Sequence, residues 1–141
     1  METPLAHFNA NVGHFIDDLK AIFGSSDKDI LFISAAFDVT KYNARIFIEP
    51  FQHYVVNNDV FVENIMKNNA TFFVNYRFED IIPTTDHSFH LLNKFREATV
   101  RSLNKPQTLD AIFNWFKVLI YYALSDLGKD PSVLPGVMNS E

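Results

Sequence analysis

The sequence predicts an all-α protein, a compact bundle of five or six helices with a kinked central helix and an extended C-terminal tail. Three observations carry that prediction. Between Leu109 and Leu127, apolar residues fall at 109, 112, 113, 116, 119, 120, 123, 124 and 127, the steps of three and four that build one buried helical face. The same spacing recurs at Phe8, Val12, Phe15, Ile16, Leu19, Ile22 and Phe23. The composition, 48% hydrophobic with 15 Phe, 5 Tyr and 1 Trp in 141 residues, supplies enough apolar surface to offset the entropy of ordering the chain. A chain of this length buries about 70% of the surface its unfolded form exposes, so one domain suffices. We place it at residues 1–128, with residues 129–141 as an extended or disordered tail holding two prolines and no apolar period.

The first helix opens at Pro4 and stops at Gly24, a proline entrance and a glycine exit. After the Ser25-Ser26 turn, Asp27 caps a second helix carrying Ile30, Leu31, Ile33 and Phe37, close enough to the first to form an antiparallel pair. A third apolar stretch covers about Lys41 to Val56, with Pro50 inside it. Because proline lacks an amide hydrogen and clashes with the carbonyl four residues earlier, the helix must kink or restart there, and a kink is favoured. Ile46-Phe47-Ile48 as a short strand is the alternative. Asp59 is the expected cap of a short helix through Phe61, Ile65 and Met66, and Phe72-Phe73-Val74 reads as an anchor in the core. An acidic loop from Glu79 to Asp86 is the expected hinge. Asp86 or Ser88 then caps a fourth long helix whose buried face is Phe89, Leu92, Phe95, Thr99 and Leu103, and Asn104-Lys105-Pro106 turns into the fifth.

Composition and charge exclude several function classes. Without cysteine there is no disulfide, thiolate nucleophile or zinc-thiolate site. The net charge of −5 resides in residues 1–85, which hold 6 Lys/Arg and 11 Asp/Glu, while residues 86–141 hold 6 of each. Such a field repels phosphate backbones and disfavours nucleic acid as a partner. No standard signal peptide opens the chain, and the charged and amide groups Asp110, Asn114, Lys117 and Asp126 would be stranded in hydrocarbon if the last helix crossed a membrane, so no membrane insertion is expected.

Chemistry-bearing motifs are sparse. No glycine-rich phosphate loop, GxSxG elbow or HExxH occurs, and neither a catalytic residue, a cofactor nor a metal is expected. Asp86, His87 and His90 could share a helix start, but two or three such groups lack the fourth ligand and supporting shell of a metal centre; Asp86 as a cap with His87 facing water is the simpler reading. His7 and His14 lie two turns apart with Asp17 and Asp18 beyond them, a polar edge, and His53 packs beside Tyr54. The fourth helix carries Lys94, Arg101 and Lys105, spaced by seven and four as one basic stripe that could grip an acidic partner. Trp115, Tyr121 and Tyr122 flank the buried stripe of the fifth helix as candidate partner-binding aromatics, since such residues are enriched at interface cores.

The order Phe8-Asn9, Phe15-Ile16-Asp17-Asp18-Leu19 and Phe23, then Ile46 and Phe51 through Tyr54, then Phe72-Phe73, then Ile112-Phe113 through Leu119-Ile120-Tyr121, resembles small all-helical proteins encoded by nucleocytoplasmic large DNA viruses. The resemblance spans residues 8–127 and consists of apolar and aromatic spacing with a few acids. It implies a virus-encoded, non-catalytic helical protein of the virion or the host cytoplasm. The expected function is therefore structural or accessory, acting through protein–protein contacts with itself, as a homodimer, or with another viral or host protein. The alternative is a nucleic-acid-associated factor using the basic stripe.

Overall fold

The computed structural model describes residues 3–130 and is all-α, with seven α-helices and no strand among the described residues. Of the tail expected at residues 129–141, residues 131–141 lie outside them.

Helix α1 spans Pro4–Phe23. Thr3 caps it, its Oγ1 accepting the Ala6 amide at 3.1 Å, and Gly24, at φ 90°, ends it by donating its N–H to the Lys20 carbonyl at 2.8 Å. Helix α2, Lys28–Asp38, starts where the Asp27 carboxylate accepts the amides of Asp29 and Ile30 at 2.9 and 3.1 Å. Gly13 lets these two helices approach: a Cβ there would lie 2.8 Å from the Phe37 ring. A 3₁₀ turn at Val39–Lys41 follows.

The irregularity expected at Pro50 is present as a restart rather than a bend within a helix running from 41. Residues 42–47 are turns, and α3 begins at Ile48–Phe51, which puts Pro50 in a first turn where its missing N–H has no helical partner to lose. The helix then widens into a π segment, Gln52–Val56. Ile46-Phe47-Ile48 is not a strand; Phe47 and Ile48 are buried at the restart.

Helix α4 is Asp59–Met66, and its cap is Asn58, whose Oδ1 accepts the Phe61 amide at 3.1 Å, one residue before the expected Asp59. Asn68, at φ 55°, makes the left-handed turn into α5, Ala70–Val74, a helix too short for its period to be read beforehand. The segment expected as a hinge is held to the core by Phe78 and Ile82, each 1% exposed. Asp86, rather than Ser88, caps α6, His87–Arg101, accepting the Ser88 amide at 2.7 Å. Helix α7, Pro106–Asp126, gives way to Gly128 at φ 75°. Leu103 and Leu127, counted above on buried faces, are 50% and 43% exposed, because each lies beyond the last helical residue and leaves the register of its face.

Helix α7 is the centre of the packing, with α1, the π segment, α4 and α6 around it. The phenylalanines explain why. Phe116 meets Phe15, Phe51 and Phe95 with ring centroids 5.4, 5.9 and 4.1 Å away, and Phe113 meets Phe73 and Phe95 at 5.8 and 5.3 Å. Phe73, the expected anchor, continues to Phe61 at 5.0 Å and Phe61 to Phe78 at 5.6 Å. Most of these pairs meet tilted or edge-on, the arrangement ring quadrupoles favour. Nine of the 15 phenylalanines are under 2% exposed, so the phenylalanine content is chiefly a core property.

Candidate interaction surface

The histidine spacing on α1 and the aromatic spacing on α7 are both seven residues, and the two helices run antiparallel. His7 therefore meets Tyr122, stacked at 4.9 Å with planes 14° apart, and His14 meets Trp115 at 6.3 Å. The Trp115 indole N–H donates to the Asp18 carboxylate at 2.7 Å. Tyr121, 42% exposed, stands edge-on to Tyr122 at 5.2 Å. The result is a surface seam in which Trp115 and Tyr122 are half-buried and oriented by neighbours on the opposite helix, with Tyr121 exposed beside Tyr122 on α7. His7, His14 and Asp18 had no assigned role beyond a polar edge; the matched spacing of seven was the available signal.

The basic stripe does not face solvent as a unit. Lys94 is 4% exposed, and its ammonium lies 2.8 Å from Asp27, 2.8 Å from Glu97 and 3.6 Å from Asp29. Burial alone would lower the Lys94 pKa, but the hydrogen bonds to Asp27 and Glu97 outweigh it and raise it. Burial likewise works to raise the Asp27 carboxyl, yet Lys94 and the Ile30 and Asp29 amides hold it below the ordinary carboxylate range. The shared face of α6 is real, but it packs on α1 and α2. Lys94 and Arg101 lie 4.2 and 4.3 Å from the Phe23 ring centroid. Arg101 is exposed beside the end of α1, and Lys105 is exposed ahead of α7.

The other polar candidates are engaged within the fold. His87 is half-buried rather than facing water, its Nε2–H donating to the Ile46 carbonyl at 2.6 Å. His90 donates from Nδ1 to Asp29 at 2.7 Å, and its ring lies 4.3 Å from Phe32. His53 is exposed with its ring edge-on to Tyr54 at 4.7 Å. Arg45 grips Asp126 with two hydrogen bonds, 3.1 and 2.6 Å, while Gln52 donates to Asp126 and to the Ala123 carbonyl at 2.9 and 3.0 Å. The Arg45 bond depresses the Asp126 carboxyl against the effect of burial, and Asp126 in turn raises the Arg45 guanidinium. This clamp ties the end of α7 to the restarted helix. Among the described residues, no group of three or more His, Cys, Asp or Glu could hold a metal ion. No helix of the described residues is long and apolar enough to cross a membrane.

Fold and surface together define an all-α protein with an ordered aromatic seam along its first and last helices. No family model, curated protein or solved structure matches the chain.

Proposed function

We propose that this chain is a non-catalytic structural or accessory protein that works through protein–protein contacts made by the α1–α7 seam. The observation that carries the reading is the seam itself: Trp115, Tyr121 and Tyr122 lie at the surface, with His14 and Asp18 holding Trp115, His7 stacked on Tyr122, and Tyr121 exposed beside Tyr122. Rigid aromatic rings give large contact area with little side-chain entropy to lose on binding. The partner is a second copy of this chain or another viral or host protein. The spacing resemblance to helical proteins of large DNA viruses supports a setting in the virion or host cytoplasm.

The engagement of Lys94 with Asp27 and Glu97 counts against the nucleic-acid alternative, which would be left with Arg101 and Lys105. The reading is tested by quantitative capture from producing cells, comparing the wild type with Tyr121→Ser. Tyr121 is exposed, so the substitution leaves the core untouched. We expect a specific partner, or a second tagged copy, to be lost with Tyr121→Ser and retained by an Arg77→Ala control. Equal capture by both variants would contradict the reading, as would duplex-DNA affinity that falls steeply with salt.

A further inference from the structure

Beyond Trp115 the seam opens into a cavity of about 210 Å³ between the second half of α1 and the first half of α7. Phe15, Leu19 and Ile112 line it and are buried, while Ala21 and Ala111 line it and are exposed. The alanines leave open a space that larger residues would fill. Asp18 and Trp115 line it too, with Ile22 and Thr108, and the indole N–H bond at 2.7 Å fixes the carboxylate in place. An ionised carboxylate offers about four acceptor sites, so this bond leaves Asp18 able to accept more.

A volume below the roughly 300 Å³ at which small-molecule sites begin suits a single side chain. An apolar lining, an indole and an oriented carboxylate match the three parts of arginine: its methylene stem, its flat cationic face and its fork of N–H donors. Charge agrees at the cavity itself, where Asp18 is an exposed acid, the adjacent Asp17 turning instead toward the α1–α2 side. We propose that this cavity receives an arginine side chain of a partner protein. The inference rests on the protein-contact reading and specifies the chemistry of the partner.

Trp115 is the chain's single tryptophan, so its indole N–H resonance reports on the cavity without ambiguity. The full chain is titrated with N-acetylarginine amide, with N-acetylcitrulline amide as the uncharged isostere. A saturable shift with arginine is expected, with citrulline weaker by about tenfold, the worth of a charged hydrogen bond. Asp18→Asn should weaken arginine by a similar factor. Ala111→Leu should abolish binding with the melting temperature kept, and Ala21→Leu serves if that variant unfolds. No saturable shift, equal shifts for arginine and citrulline, or binding that survives both filled-cavity variants would overturn the inference. Capture through Tyr121 is read separately: its persistence alongside a failed arginine titration overturns the cavity assignment alone, and its loss of specificity overturns the broader reading whatever the titration shows.

Discussion

Lys94 shows how far a single residue's role depends on what lies opposite it. Its spacing from Arg101 was legible, and the two do share a face of α6. That Lys94 is turned inward depends on Asp27, 67 residues earlier, which no local pattern reveals. Removing the ammonium leaves carboxylates facing one another without a counter-charge. Lys94→Met is therefore expected to lower unfolding free energy by about 3–5 kcal/mol, measured by urea denaturation. Arg101→Ala and Lys105→Ala should each cost less than about 1 kcal/mol. Equal costs for all three would show that Lys94 is not the internal partner described. Phe116, fully buried among Phe15, Phe51 and Phe95, is the opposite case, readable from periodicity alone. Phe116→Ala should cost about 3–5 kcal/mol, whereas Asp110→Ala, which loses an exposed hydrogen bond from Asn68, should stay near about 0.5 kcal/mol. Similar losses would invert the assignment of the α7 face.

Among the elements, the long helices α1, α2, α6 and α7 were legible because each carries several turns of apolar period and a terminal signal in Pro4, Asp27, Asp86 or Pro106. The middle of the chain was not. A five-residue helix such as α5 spans little more than one turn, and the π segment has no period distinct from its neighbours. These elements are placed by tertiary contacts, notably Phe73 in the core and the Arg45–Asp126–Gln52 clamp. The clamp and the Lys94 cluster predict a pH response. Asp27 and Asp126 have folded-state pKa values below the ordinary 3.8, so their contribution is full above that value and is lost as pH falls through the lower folded values. Urea midpoints should drop between about pH 5 and about pH 2. The double variant Asp27→Asn and Asp126→Asn should flatten that drop while keeping a capping side chain at 27. An unchanged slope would mean other carboxylates govern the acid limb. Lys94, raised above 10.5, gives the alkaline counterpart, with stability lost as pH rises through its folded value.

For the molecule as a whole, burial of nine of the 15 phenylalanines removes most of the phenylalanine content as an argument for association and leaves the α1–α7 seam to make it. The seam itself was half legible. Trp115, Tyr121 and Tyr122 stood out on the flanks of α7, but the pairing that orders them needed the antiparallel docking of α1. The charge split acts at this scale too. Arg101 and Lys105 remain exposed in the neutral later part, opposite in sign to the first 85 residues that carry the net −5. Long-range attraction of that kind alters encounter rate more than affinity. Arg101→Ala with Lys105→Ala should slow association at low salt and leave it unchanged near physiological strength, where screening acts within about 8 Å. Stopped-flow measurement at two salt concentrations reads this directly, and a rate unaffected at low salt would dismiss the two cations from recognition. The central claim is that the seam meets a partner protein. It is tested by site-specific photocrosslinking in producing cells, with the crosslinker at Tyr121 and, for comparison, at Tyr42, which is 91% exposed in the turn that follows the 3₁₀ segment. A discrete adduct is expected from position 121 and none from 42; adducts of equal yield at both positions, or none at 121, would refute contact through the seam.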